Sequence, residues 1–234
     1  MKTGILYLVP SLLSEENPFV IPSSTKEILF TLDHFIVENE KSARHFLKAV
    51  GYPKPLQQLN LQVLNEHTKP EEIPGLLKPL LAGNNAGIIS EAGCPGIADP
   101  GSDLVKLAYE KNIQVIPLVG PSSILLALMA SGMNGQLFTF LGYLPREKSL
   151  RVKAIRELEK NCITKNETQI FIEAPYRNSQ LLEDILNTCN VETRLCIAAD
   201  LTSLSQSVMT FTIKEWKIKI PDIQKRPVVF LVGS

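Results

Sequence analysis

Apolar residues in this chain come mostly in short unbroken runs, set apart by loops that carry glycine and proline. Residues 5–9 (Ile-Leu-Tyr-Leu-Val) predict a buried strand, and the polar, acidic, proline-bearing stretch 11–22 predicts a loop. Ser24 and Thr25 can cap a helix over about 26–32, residues 35–37 predict a short strand, and 40–50 predict an amphipathic helix stopped by Gly51 and Pro53. Residues 59–64 alternate like a strand, and 70–81 read as a proline-interrupted helix ending at Gly83. The pattern then sharpens. A strand at 87–89 leads into a loop over 90–101, a helix capped by Ser102 or Asp103 reaches about Lys111, and a strand begins at Val115. A turn at 120–123 precedes another helix at 124–130. Strand, loop and helix repeated in this order predict parallel α/β winding.

The second half has a different texture. Strands are expected at 137–141, 169–172, 194–198, 208–213 and 228–232, with helices at about 149–160 and 179–187. Strands outnumber helices here, which predicts a mixed sheet containing hairpins. The expected architecture is therefore α/β with two domains. A parallel α/β sheet would occupy 1–118 and a mixed sheet with helices 119–234, with a cleft between them.

Composition narrows the classes. The chain has 234 residues with 24 basic and 24 acidic side chains, so no global field favours nucleic acid or membrane. The balance hides a gradient: residues 1–117 carry 10 Lys/Arg against 13 Asp/Glu, whereas 118–234 carry 14 against 11. Any polyanion would then meet the second half. Lys2 precedes an apolar run too short for a secretory leader, and no run reaches the ~18–20 apolar residues of a membrane span. Cys94, Cys162, Cys189 and Cys196 have no C-x-x-C spacing, and His34, His45 and His67 have no ligand spacing. No metal site is expected, and free thiols in a chain without a leader suit the cytoplasm.

The stretch 90–101, Ser-Glu-Ala-Gly-Cys-Pro-Gly-Ile-Ala-Asp-Pro-Gly, leaves a strand and enters a helix, which is where open α/β sheets hold ligands. Gly93, Gly96 and Gly101 would let a ligand meet backbone, and Pro95 and Pro100 would stiffen the loop. It is neither a dinucleotide nor a P-loop fingerprint, and a rigid connection with two turns is its structural alternative. Val119-Gly120-Pro121-Ser122-Ser123 is a second strand exit whose hydroxyls either cap the next helix or hold a ligand's polar group.

These two exits resemble those of the tetrapyrrole methylase superfamily of S-adenosylmethionine-dependent methyltransferases. The resemblance also rests on Leu6 to Pro10, Gly142-Tyr143-Leu144-Pro145 and Glu173-Ala174-Pro175-Tyr176-Arg177, all in family order. Within the superfamily the chain is most similar to the branch that 2′-O-methylates a cytidine ribose in small-subunit ribosomal RNA. The acceptor-side motifs depart from that branch: no Gly-Asn-Leu follows the first strand, and Ala199-Asp200-Leu201-Thr202 stands where Arg-Glu-Leu-Thr is usual. A tetrapyrrole or other small-molecule acceptor, and a donor-binding module without catalysis, are the rival readings.

The resemblance implies a homodimer that binds S-adenosylmethionine, releases S-adenosylhomocysteine, and acts on ribosomal RNA or the small ribosomal subunit. By position it places the donor against Pro10, Gly93, Cys94, Pro95, Ile97, Ser122 and Ser123, with Ala174, Leu201 and Pro227 from the second domain. A ribose hydroxyl must lose its proton, and Glu38 and Lys41 are the candidates beside the first sheet. Arg177 suits bidentate phosphate binding. For all three the alternative is a surface salt bridge. Seven basic residues between Arg146 and Lys165, Arg151 and Arg156 among them, read either as a solvated helix face or as an RNA footprint.

Overall fold

The computed structural model describes residues 2–233 and divides into two compact units, Met1–Ser122 and Ser123–Ser234. In the first unit β1 (Ile5–Val9), β2 (His34–Val37), β3 (Asn60–Val63), β4 (Ala86–Ile89) and β5 (Gln114–Pro117) form one sheet in the order β3-β2-β4-β1-β5. Every pairing is parallel. Helices α1 (Ser23–Leu29), α2 (Glu40–Ala49), α3 (Ile73–Leu76), α4 (Lys78–Leu81) and α5 (Gly101–Glu110) connect the strands.

The unbroken apolar runs of the sequence follow from burial on both faces. Val9, Phe35, Val37 and Ile89 point to one core with Leu29 and Leu47, and Leu6, Ile36 and Ile88 point to another with Leu77, Leu80 and Leu104. Gly87 of β4 faces the first of these cores, where a Cβ would come 3.0–3.1 Å from Leu32, Phe35 and Val9. The expected helix at 70–81 is two short helices, since Pro74 and Pro79 each start a new turn. The expected side-chain cap on α5 is absent: Pro100 occupies the cap position, and Asp99 bonds the first helical N–H instead.

In the second unit α6 (Ser123–Ser131), β6 (Phe138–Tyr143), α7 (Lys148–Lys165), β7 (Thr168–Ile172), α8 (Asn178–Thr188), β8 (Arg194–Ala199), β9 (Ser207–Thr212), α9 (Ile213–Trp216) and β10 (Val228–Gly233) follow one another. The sheet order is β6-β7-β10-β8-β9, with β6 parallel to β7 and the remaining pairs antiparallel, so it is mixed as expected. Its core joins Phe171 and Phe230, stacked at 5.7 Å, to Ile155 and Leu158 of α7, Leu181 and Ile185 of α8, and Trp216. The Trp216 indole donates to the Leu195 carbonyl at 2.8 Å, which satisfies its one polar atom inside that core. α6 packs on β8, β9 and β10.

Candidate active site

Parallel pairing sends all five carboxyl ends of the first sheet to one edge. Register refines this: Val9 and Val37 both pair with Ile89, so the residues that follow, Pro10, Glu38 and Ser90, leave the sheet side by side. Leu118 extends the row by donating its N–H to the Leu8 carbonyl.

The 90–101 loop is tied to this edge by its own backbone. The Ser11 N–H and the Ser90 hydroxyl both donate to the Gly93 carbonyl, at 2.9 and 3.3 Å, and the Cys94 thiol lies 3.5 Å from the Pro121 carbonyl. Gly93, Gly96 and Ala98 have φ of +76°, +82° and +61°. The alanine has no glycine's freedom there, so the loop holds it in place against a local cost. Asp99 supplies the hold: its carboxylate accepts the Gly96 N–H at 2.9 Å and the Gly101 N–H at 2.7 Å. Burial pushes the Cys94 thiol up from its ordinary value, so at neutral pH it is a weak nucleophile.

The second exit approaches the first strand closely. A Cβ on Gly120 would meet the Pro10 ring at 2.2 Å, so only glycine fits. The Thr25 hydroxyl bonds the Val119 carbonyl at 2.7 Å and anchors the turn. Ser122 and Ser123 are half-buried at the start of α6. Gly96 differs from Gly120. No atom lies within 4 Å of its Cβ position, so a side chain there is opposed by the positive φ and not by crowding. Of the remaining residues singled out in the sequence, Pro10 and Pro95 are buried, Cys94 is half-buried and Ile97 is half exposed.

Glu38 sits in a small solvent-open recess with Ser90, Asp99 and Gly101, of about 170 Å³. Burial, then the charges of Asp99 and Glu91, push its carboxyl up from 4.5 to about 7. A carboxyl that titrates near neutrality is matched to proton transfer. Lys41 is exposed on the first turn of α2, and its backbone N–H serves the Asn39 cap at 2.9 Å. The structure therefore brings Glu38, but not Lys41, into the recess.

The second unit has its own converging edge. β7 and β8 end, and β10 begins, on the same side of the sheet, which gathers Ala174, Leu201 and Pro227 at adjacent strand ends. Arg177 is committed there: its Nη2 pairs with the buried Glu173 carboxylate, which also accepts the Ala174 N–H at 2.7 Å. Asp200 and Arg226 form a second pair at 2.7 Å, and the Asp200 N–H bonds the Pro227 carbonyl.

The basic run on α7 needs correction at one residue. Arg151 is 2% exposed and donates to Asp184 at 2.8 and 2.6 Å and to the Arg146 carbonyl at 2.6 Å. It falls on the buried face with Ile155, Leu158 and Cys162, at the i, i+4, i+7 spacing of a packed stripe, so it belongs to the core. Arg146, Lys148, Lys153, Arg156, Lys160 and Lys165 are exposed. Sequence reading also passed over the Asp99 clamp, although Asp-Pro-Gly is a turn signal that points to it.

Comparison with known proteins connects this geometry to a family. No family model matches the chain. It is 31% identical over 233 residues to ribosomal RNA small subunit methyltransferase I of Haemophilus influenzae, covering 98% of this chain and 78% of that protein. The proteins of that name from Streptococcus pyogenes (34% over 215 residues, 91% and 70% covered) and Synechocystis (31% over 211 residues, 90% and 72% covered) are similar. Among solved structures, the methyltransferase CobJ has a TM-score of 0.67 at 16% identity, covering 99% of this chain and 95% of that one. A uroporphyrin III C-methyl transferase from Thermus thermophilus has a TM-score of 0.61 at 14% identity, covering 99% and 98%. The structural likeness establishes the tetrapyrrole-methylase fold, and the sequence likeness shows that the chain is a methyltransferase belonging to the ribosomal RNA small subunit methyltransferase I family.

Proposed function

We propose that the enzyme takes its methyl group from S-adenosylmethionine and places it on the ribose 2′-oxygen of a cytidine in small-subunit ribosomal RNA. The observation that carries this reading is the edge of the parallel sheet, where two backbone-rich loops and a carboxyl titrating near neutrality stand together. The residues present fit the donor. Gly120 closes on Pro10, Gly93 and Gly96 expose backbone, and the buried Ser11 hydroxyl makes no hydrogen bond among the described residues. Pro10, Gly93, Cys94, Pro95, Ile97 and Ser122 form the donor surface of the first unit, and Ser123, Ala174, Leu201 and Pro227 that of the second. The donor supplies an electrophilic methyl carbon, which needs alignment more than it needs activation, and alignment alone is worth up to ~7–11 kcal/mol.

The chain's residues supply the acceptor side. Glu38, when ionised, takes the proton of the ribose hydroxyl, and a value near 7 leaves it ionised in a large fraction of molecules at neutral pH. The exposed cations of α7, with Lys41, neutralise phosphates, and Arg177 orders the loop that holds Ala174. The relatives' names support the ribosomal acceptor, because they share about a third of their residues with nearly the whole chain. A cytoplasmic homodimer is part of the same reading.

The test is transfer of labelled methyl from S-adenosylmethionine to small ribosomal subunits at successive assembly stages, followed by mapping of ribose methylation. Label on a cytidine ribose is the expected result. Donor binding without label at any stage would move the acceptor to a small molecule or leave a binding module.

A further inference from the structure

The ties of the 90–101 loop to Ser11, Ser90 and Pro121 hold it at Gly93 and Cys94 and do not reach beyond them. Three of its residues hold positive φ, one of them an alanine, within six positions. The segment between Gly96 and Gly101 would open if nothing joined its ends. Among the described residues, what joins them is the single side chain of Asp99. Asp99 Oδ1 accepts both the Gly96 N–H (2.9 Å) and the Gly101 N–H (2.7 Å), and Oδ2 shares the Gly96 N–H at 2.9 Å. Gly101 is also the first residue of α5, whose cap position is a proline with no side chain to offer, so the same carboxylate closes the loop and starts the helix.

We propose that Asp99 is a positioning residue of methyl transfer, which holds the donor-facing segment Gly93 to Ile97 in its binding shape by clamping the N–H groups of Gly96 and Gly101. This rests on reading the 90–101 loop as the donor loop. Asp99 touches neither donor nor acceptor in this scheme and acts through backbone. Charge-assisted bonds to backbone N–H groups are the stronger kind, and losing the acceptor leaves two donors with no partner beside a strained turn.

A second consequence follows from where the carboxylate stands. Asp99 and Glu91 are the two charged groups that bear on Glu38, and the rest of its recess is uncharged. β3 contributes only the apolar Leu64 that follows it, and β4 contributes Ile88, Ile89 and the Ser90 that follows them. The clamp therefore also helps keep Glu38 near neutrality, while the Glu91 N–H works against it.

The experiment compares D99A, D99S and D99N with the wild-type enzyme, using S-adenosylhomocysteine as the probe in calorimetry. D99N keeps the Oδ1 acceptor for both N–H groups and should bind within about threefold of wild type, while D99A should lose about tenfold or more, the effect of one lost net interaction of ~1.4 kcal/mol. D99S, with a shorter acceptor, should fall between, and it carries the comparison if D99A does not fold. In carboxyl-labelled carbon NMR, with E38Q assigning the signal, the Glu38 titration should move to lower pH in D99N because the charge is gone. Wild-type affinity in D99A, or in D99S where D99A is not folded, overturns the clamp. An unmoved Glu38 signal in D99N overturns its electrostatic consequence. Failure of the wild-type enzyme to bind S-adenosylhomocysteine is a different result: it removes the donor loop itself, and the inference with it.

Discussion

The two units treat their inward carboxylates in opposite ways. In the first, Glu38, Glu91 and Asp99 stand close together, and none of them takes part in an ion pair among the described residues. In the second, Glu173, Asp184 and Asp200 each have an arginine, in Arg177, Arg151 and Arg226. Burial and the like charges of Asp99 and Glu91 raise the Glu38 carboxyl to about 7, whereas the arginine-paired carboxylates are held in a fixed geometry. The first edge is thereby kept responsive to protons, and the second is a scaffold that fixes where its loops end. The difference assigns proton handling to the parallel sheet and rigidity to the mixed one.

The comparison breaks most severely at the buried pair. Asp184→Ala leaves the Arg151 charge in the core without its carboxylate and should destabilise the second unit by about 3–5 kcal/mol, while Arg151→Ala, which leaves Asp184 with Lys148 at 3.6 Å, should cost less. Chemical denaturation monitored through Trp216, which lies in that core, reads the loss. An apolar double replacement, Arg151→Met with Asp184→Leu, should recover much of it. If the single variants are as stable as the parent, the pair is not the scaffold described.

Next in size is the contrast between two glycines of the first edge. Gly120→Ala drives a methyl group into the Pro10 ring and should lower donor affinity by tenfold or more. Gly96→Ala meets no protein atom within 4 Å, so in the free enzyme it should cost the left-handed penalty of ~1–2 kcal/mol in stability. Calorimetry with S-adenosylhomocysteine and thermal unfolding separate the two. Equal affinities in Gly120→Ala and the wild type would show that the close approach to Pro10 does not shape the donor surface.

Glu38 gives a smaller effect with a definite sign. Its folded value, about 7, lies above the unfolded one of 4.5, so the folded state holds the proton more tightly. The stabilisation from this group is complete below about pH 4.5 and is lost as pH rises through 7. Glu38→Gln should therefore gain stability at pH 8, by ~1 kcal/mol once partial exposure is discounted, and gain nothing at pH 4. The same variant should lose the rise in methyl transfer that the wild-type enzyme shows as pH passes through about 7. A gain that persists unchanged at pH 4 would mean the carboxyl is not held protonated.

The smallest effect concerns the surface of α7. Arg156→Glu should leave folding and donor affinity alone, yet flatten the salt dependence of RNA binding by roughly 0.7–0.9 for each phosphate it no longer neutralises. A salt slope identical to the parent's would take this helix face out of the RNA footprint. Arg151 is unsuitable for that test, because reversing its charge attacks the core before it reaches any RNA.

Most strands and helices were legible from the chain, because burial on both faces of a parallel sheet writes itself as continuous apolar runs between glycine and proline. The 90–101 and 119–123 exits were legible for the same reason, since punctuation marks where a strand gives way to a helix. Sequence marked 70–81 as proline-interrupted but did not show that Pro74 and Pro79 begin separate helices, nor that Asp99 replaces the expected cap on α5. The Asp99 clamp depends on which backbone N–H groups the folded loop leaves over, at Gly96 and Gly101. Arg151 is the clearest case: its side chain reads like its basic neighbours, and only the packing of α7 against α8, with Asp184 across from it, makes it part of the interior. The sequence alone therefore determined the winding, the loops and the residue types at them. The tertiary structure decided which charges are paired and which are left to titrate, because pairing depends on distances between residues far apart in the chain, and local pattern carries no information about those.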